Sequence, residues 1–309
     1  MHMGSRFYIF CRTPHSIFPR LIMKKYLPYI FILTAGIAWG SLGIFTRNLA
    51  IYGFTPKDIV LVRNFGGLVV MTVLFFFMDR NIFRIKLRHF PFFIGTGIVS
   101  VMAFTLLYFT CQQNCSLAVS AILLYTSPVF VMVMSALIWK DKITKQKLLA
   151  LFVTLAGCAA VSGIFSGNLT VTAFGFITGI GSGFFYALYS IFGRFALQHY
   201  KPYTVTYYTF LCAGLTSLLV ASPAKVISTF SLSPSVPFFA VCLVLIGTVL
   251  PFVMYTKGLA EVESGKAAIL ACMEPVSAAL VGVIVFGEPM TMSVAAGLLC
   301  ILTAVYILR

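Results

Sequence analysis

The chain has 309 residues, 60% of them hydrophobic and only 9% charged, with a mean hydropathy of +1.02. A soluble domain carries about 25% charged residues, so this composition excludes a soluble globular protein and indicates an integral membrane protein. The net charge of +15, from 22 Lys and Arg against 7 Asp and Glu, comes without an RNA-binding aromatic motif or zinc-ligand spacing. Nucleic acid is therefore not an expected partner, and the basic residues read as loop anchors that set orientation.

Residues 1–23 read as a basic tail. Arg6, Arg12 and Arg20 flank apolar bursts shorter than the roughly 7–15 residues of a signal-peptide core. The Met23-Lys-Lys-Tyr sequence resembles a natural start, so residues 1–22 need not belong to the native protein. A bilayer-spanning helix takes about 20 mostly apolar residues. Ten such stretches follow, at about 28–46, 58–78, 90–110, 117–139, 147–164, 173–193, 203–221, 237–256, 266–286 and 292–308. In lipid every backbone polar group needs an internal partner, and no stretch shows the alternation of a membrane barrel, so the spans are helices.

Placing the N-terminus in the cytoplasm puts 18 basic residues inside. They are Arg6, Arg12, Arg20, Lys24, Lys25, Arg80, Arg84, Lys86, Arg88, Lys140, Lys142, Lys145, Lys147, Arg194, Lys201, Lys257, Lys266 and Arg309. Only Arg47, Lys57 and Lys225 fall outside, and Arg63 lies within a span. The asymmetry predicts a multi-pass protein of the cytoplasmic membrane with both termini inside.

The chain also repeats itself. Tyr108, Ala121, Ile122, Leu123, Pro128, Val129 and Thr144 recur 147 positions later as Tyr255, Ala268, Ile269, Leu270, Pro275, Val276 and Thr291. Asp141 lands on Glu288, and Trp39 on Tyr186. Gly36, Ile44, Phe45 and Arg47 land on Gly183, Ile191, Phe192 and Arg194. One ungapped register over this length is an internal duplication. It divides the chain into repeats over 24–165 and 166–309, five helices each, forming one membrane domain. Five is odd, so the second repeat enters the membrane inverted. The expected fold is all-α, with ten transmembrane helices as two inverted five-helix repeats. Inverted repeats mark secondary transporters that hold substrate near the midplane.

At these residues the chain resembles the paired EamA-type domains of the drug/metabolite transporter superfamily. The resemblance rests on the W-G-S-x-x-x-x-x-R pattern from Trp39 to Arg47 and on Arg63-Asn64-Phe65. It rests also on A-I-L, Pro-Val and a closing acid in the fourth and ninth helices. It covers about residues 26–308 and implies a ten-helix bundle that exports or exchanges small metabolites. Two departures stand out. Lys140-Asp141-Lys142 replaces the usual Gly-Glu, which the second copy keeps at Gly287-Glu288, and Phe210 stands opposite Arg63 in the duplication.

Glu274 is the one acid well inside a predicted span, just before Pro275. Charge at mid-membrane costs at least ~2.5 kcal/mol and marks a pathway or a relay, so Glu274 is the candidate coupling acid. The alternative is a helix-packing hydrogen bond, and the duplicated position holds Ser127. No basic residue is expected at its depth. Pro128 and Pro275 each free a carbonyl four residues earlier, on Leu124 and Ala271; such groups line a cavity or mark a kink. Trp39, Tyr108, Tyr186 and Tyr255 offer rings for an amphipathic metabolite, or packing and interfacial anchoring. The expected substrate cavity is therefore Trp39, Tyr108, Ser127, Pro128, Tyr186, Tyr255, Glu274 and Pro275. Arg63 is a candidate anion-binding or helix-pairing group, and Asp58 a support for its helix N-terminus.

Asp141 and Glu288, at helix ends on opposite sides, are candidate gate residues or surface caps. Glu261 and Glu263, between Lys257 and Lys266, read as a solvated cluster, and Cys115 as a residue reachable from outside. Scattered cysteines read as small hydrophobes. His2, His15, His89 and His199 lie in the tail or near loops, which argues against a metal cluster, and no catalytic set or cofactor is expected. The expected function is a secondary transporter moving a small metabolite or drug by alternating access, as an exporter. Its partners are a small-molecule substrate, the lipid bilayer and a coupling ion such as the proton. The alternatives are an accessory membrane subunit without transport and an integral membrane enzyme.

Overall fold

The computed structural model describes residues 17–164 and 169–308, with side chains from Lys25 onward. The described residues are helical throughout, apart from loops and one isolated bridge between Cys115 and Val171. Eight helices are long and apolar enough to cross a membrane: α1 (Lys25–Ile51), α2 (Pro56–Met78), α3 (Leu87–Asn114), α4 (Leu117–Trp139), α6 (Ala173–Leu197), α7 (Pro202–Val220), α8 (Ser235–Leu259) and α9 (Ser264–Phe286). Two more, α5 (Lys145–Val161) and α10 (Met292–Ile307), have 17 and 16 residues. They fall short of the about 20 a perpendicular span needs, and they pack side by side. A short surface helix, Pro223–Phe230, lies between α7 and α8. The helix carrying the first span begins at Ile17, within the stretch read as a tail; residues 1–16 lie outside the described residues.

Local chemistry sets the helix starts. Thr55 and Asp58 form a capping box ahead of Pro56, so Asp58 supports the α2 N-terminus as its position suggested. Thr144 accepts from the Lys147 N–H and Thr291 from the Val294 N–H, the same cap 147 residues apart. The opposite ends of α4 and α9 match as well. Lys140 and Gly287 both take the left-handed conformation, at φ 57° and 68°. The next N–H, of Asp141 or Glu288, returns to the carbonyl of Ser135 or Gly282, as in a Schellman ending.

The duplication is visible in irregularities as well as in helices. α3 contains a π-helical stretch at Gly95–Met102 and α8 another at Leu245–Val249. These overlap at an offset of 147. α4 is interrupted at Tyr125–Thr126 and restarts at Ser127; α9 is interrupted at Cys272 and restarts at Met273. Each restart carries its proline in the first turn, where a missing N–H costs no helical bond. Packing repeats too: α1 lies on α8 and α9, as α6 lies on α3 and α4. Gly36 of α1 brings its backbone against Ala271 O, and Gly183 of α6 against Leu123 O and Leu124 O. A Cβ on either would come within 3.0 or 2.8 Å of those oxygens. The carbonyls that precede each interruption thus abut a glycine of the other half of the chain.

Candidate functional site

A small cavity sits among α1, α3, α4, α6, α8 and α9. Trp39, Ser127, Tyr186, Tyr189, Ser190, Phe252 and Tyr255 line it, with Val101, Phe104, Val131, Ala187, Ala268 and Ala271. Its volume of ≈ 20 Å³ holds about one water. On the side of the lysine-rich loops the rings close over it. Trp39 meets Phe252 at 5.2 Å and Tyr255 at 5.5 Å, Tyr189 meets Phe252 at 5.3 Å, and the fully buried Phe210 meets Phe252 at 4.8 Å. Hydroxyls inside this plug are satisfied: Tyr189 Oη with Thr256 Oγ1 and Tyr255 Oη with Ser190 Oγ, both at 2.8 Å. A plug of paired, close-packed rings is a watertight seal.

Beyond the cavity, toward the opposite face, the chemistry changes. Glu274 stands in the first turn of the second half of α9, where the helix dipole favours a negative charge. Arg63, Tyr108, Tyr125 and Tyr186 lie within electrostatic reach of its carboxylate. Arg63 Nε also donates to Thr248 Oγ1 at 3.4 Å, in the π-helical stretch of α8. No direct ion pair joins Arg63 to Glu274 among the described residues. Both side chains are half-buried. At ~1.5 Å per residue Arg63 lies roughly 10 Å and Glu274 roughly 18 Å below the helix ends at that face. Tyr108 and Tyr125, which lie nearer that face than Glu274 does, are half-buried as well. Where the duplication offers Arg63, Tyr108 and Thr105 on this side, it offers Phe210, Tyr255 and Phe252 on the other. One half of the bundle interior carries polar side chains at these positions; the other is filled with rings.

Two ion pairs bracket the path. Arg194 at the end of α6 holds Asp141 at the end of α4 through Nη1–Oδ2 at 2.5 Å and Nη2–Oδ1 at 3.3 Å, and lies 4.3 Å over the Trp139 ring. Arg47 on α1 holds Glu288 after α9 at 2.7 Å and lies 4.3 Å over the Phe286 ring. Arginine, acid and ring are each displaced by 147 residues between the two sets. Each pair joins one half of the chain to the other, on opposite faces. They differ in burial: Arg194 and Asp141 are 26% and 15% exposed, Arg47 and Glu288 56% and 47%. On the lysine-rich face a third pair, the buried Lys147 with Glu263, adds to the closure, and Lys147 Nζ also donates to Lys142 O.

Trp39, Ser127, Tyr186 and Tyr255 therefore line one cavity. Tyr108 and Glu274 lie beyond it with Arg63, and Pro128 and Pro275 are buried at the helix interruptions. Three expectations are corrected. Glu274 does have a cation within electrostatic reach, Arg63: the two differ in depth by only ~8 Å, which an extended arginine covers. Glu263 is paired with buried Lys147 rather than solvated. Cys115 is buried, 6% exposed, where the α3 end pairs with Val171. Sequence reasoning missed Tyr125, Tyr189 and Phe252, since an aromatic in an apolar span carries no mark of the face it takes. The signal for the ion pairs was present: both arginines and both acids are duplicated.

The chain is thus a bundle of membrane-length helices with an arginine, an acid and three tyrosines gathered in its interior. The EamA-like transporter family matches twice, over residues 27–163 and 173–309, and the chain belongs to that family. An "uncharacterized transporter" of Archaeoglobus fulgidus is 30% identical over 89% of this chain and 94% of its own length. An "uncharacterized inner membrane transporter YicL" of Salmonella typhimurium is 26% identical over 90% and 93%, and an "uncharacterized transporter YyaM" of Bacillus subtilis 26% over 82% and 84%. A solved structure with 16% identity shares the fold at a TM-score of 0.75, over 91% of this chain and 95% of that one.

Proposed function

We propose that the protein is a secondary transporter that exports a small metabolite or drug across the cytoplasmic membrane. It works by alternating access between two inverted five-helix repeats, with α5 and α10 completing ten spans. The observation that carries this reading is the pair of latches, Arg194–Asp141 and Arg47–Glu288. An alternating carrier needs a closure at each face that the other face's opening can replace. Two equivalent ion pairs, each bridging the repeats, meet that need. With the lysine-rich face in the cytoplasm, the ring plug and the Arg194–Asp141 latch close the inside, and with Arg47–Glu288 formed as well this conformation carries an ion pair at each face.

Substrate binds beside the plug, against Trp39, Ser127, Tyr186 and Tyr255, with Tyr108, Arg63 and Glu274 toward the outside. Pro128 and Pro275 mark the interrupted helices where the repeats pivot. Glu274 carries the coupling proton: its carboxylate alternates between Arg63 and substrate or water as the site changes sides. The test is a resistance screen on an overexpressing strain, followed by exchange of the protective compound in vesicles of the purified protein. Protection from at least one toxic metabolite, with saturable exchange, is the expected result; vesicles that exchange nothing the cells resist would reject transport.

A further inference from the structure

A second polar pocket lies far from the path, at the lysine-rich face where α3 begins and α6 ends. It has a volume of ≈ 330 Å³ and is lined by Arg84, Ile85, Lys86, Arg88, His89, His199 and Tyr200. Five of these seven can carry positive charge, and no acid lines the pocket. Among the described residues none of the ion pairs includes Arg84, Lys86 or Arg88. The cluster is held in shape. The Tyr200 hydroxyl accepts the Lys86 backbone N–H at 2.8 Å and bonds His89 Nδ1 at 2.9 Å. The imidazoles of His89 and His199 stack at 4.3 Å with 15° between their planes. Arg88 Nε donates to His89 Nε2 at 3.2 Å, and Arg84, Lys86 and Arg88 crowd one pocket with no acid among its lining residues, a field that favours an anion there.

The surroundings identify the anion. The pocket stands at the helix ends, at the level of the membrane interface. Leu87, between Lys86 and Arg88 in sequence, is 85% exposed, and Phe77 and Met78 at the end of α2 are also exposed. Apolar side chains bare to the outside beside a cationic pocket suit an acyl chain below a phosphate head group. Arginine forks match phosphate oxygens in pairs. We propose that this pocket binds the phosphate group of an anionic membrane lipid, phosphatidylglycerol being the simplest case.

The test uses the full-length protein in detergent. Native mass spectrometry compares retained phosphatidylglycerol with phosphatidylcholine of the same chains, and inorganic phosphate is added as competitor. Retention of the anionic lipid should exceed that of the zwitterionic one at least about tenfold, and Arg84→Gln/Lys86→Gln/Arg88→Gln should abolish the preference. Removing as much charge elsewhere on the same face, with Lys140→Gln/Lys142→Gln/Lys145→Gln, should preserve it. Arg88→Glu alone, at an exposed position, serves if the triple variant does not fold. A preference that survives both pocket variants overturns the proposal, as does an equal loss in the control. Displacement of the lipid by inorganic phosphate at about 10 mM, a concentration with weak screening on this scale, would overturn the lipid assignment in favour of a soluble phosphate compound.

Discussion

Replacing Asp141 by Asn removes the charge of the inner latch while keeping its shape, and the structure sets the size of the effect. Exposed ion pairs contribute about 0–1 kcal/mol, whereas breaking a buried pair costs about 3–5 kcal/mol. Arg194–Asp141 is bidentate, mostly buried and backed by the Trp139 ring, so an intermediate loss of about 2 kcal/mol is expected. That loss falls on the state closed at the lysine-rich face and shifts the population about 30-fold toward the state open there. Arg47–Glu288, with one contact and both side chains about half exposed, should yield only about 0.5 kcal/mol, or roughly twofold. The reporter is Ser190→Cys in a background lacking the native cysteines. Ser190 is buried behind the ring plug and lines the cavity. Its labelling by an impermeant thiol reagent from the lysine-rich side should rise in proportion to the open population in Asp141→Asn, and barely move in Glu288→Gln. Equal effects of the two substitutions, or none from Asp141→Asn, would refute the latch argument.

Other consequences are local. Lys140 holds a left-handed conformation that its counterpart fills with glycine, so Lys140→Gly should stabilise the protein by about 1 kcal/mol in thermal unfolding; a lower melting temperature would contradict this. A Cβ on Gly40 would come within 2.5–2.7 Å of Glu274 O, Ser277 Cβ and Ala278 N, while one on Gly43 would meet nothing within 4 Å. Gly40→Ala should therefore destabilise by about 1–3 kcal/mol and Gly43→Ala should leave melting unchanged, and the reverse order would mean that α1 and α9 do not meet as described. For orientation, Lys57→Cys should react with an impermeant reagent on intact cells and Lys145→Cys only after the membrane is opened, both positions being exposed; the opposite pattern would invert every side assigned.

Much of the fold was legible because lipid imposes few choices. Apolar length marked the spans, and the 147-residue offset anticipated matched caps and interruptions without a view of either. The shortness of α5 and α10 was legible too, since the stretches 147–164 and 292–308 already fall below the about 20 residues of a perpendicular span. Site chemistry was legible where a residue type is expensive in lipid, as for Glu274 and Arg63. That the two face each other depends on how α2 and α9 cross, which no spacing within either helix encodes. The crosswise pairing of Arg47 with Glu288 and Arg194 with Asp141 required joining two readings, the duplication and the sidedness. The ring plug was illegible for a plainer reason: Phe252 and Tyr189 differ from lipid-facing aromatics only in the direction they point.

The most direct test of the account is proton movement driven by substrate. Purified protein is sealed in vesicles with a trapped pH indicator, and a panel of amphipathic metabolites is added with and without an imposed pH gradient. The account predicts that at least one compound moves protons with wild-type protein. Glu274→Gln, equally folded and inserted, should lose this proton movement while still exchanging the same compound when no gradient is imposed. Gradient-driven transport at the full rate in Glu274→Gln would contradict the coupling role of Glu274 and reduce it to a helix-packing group.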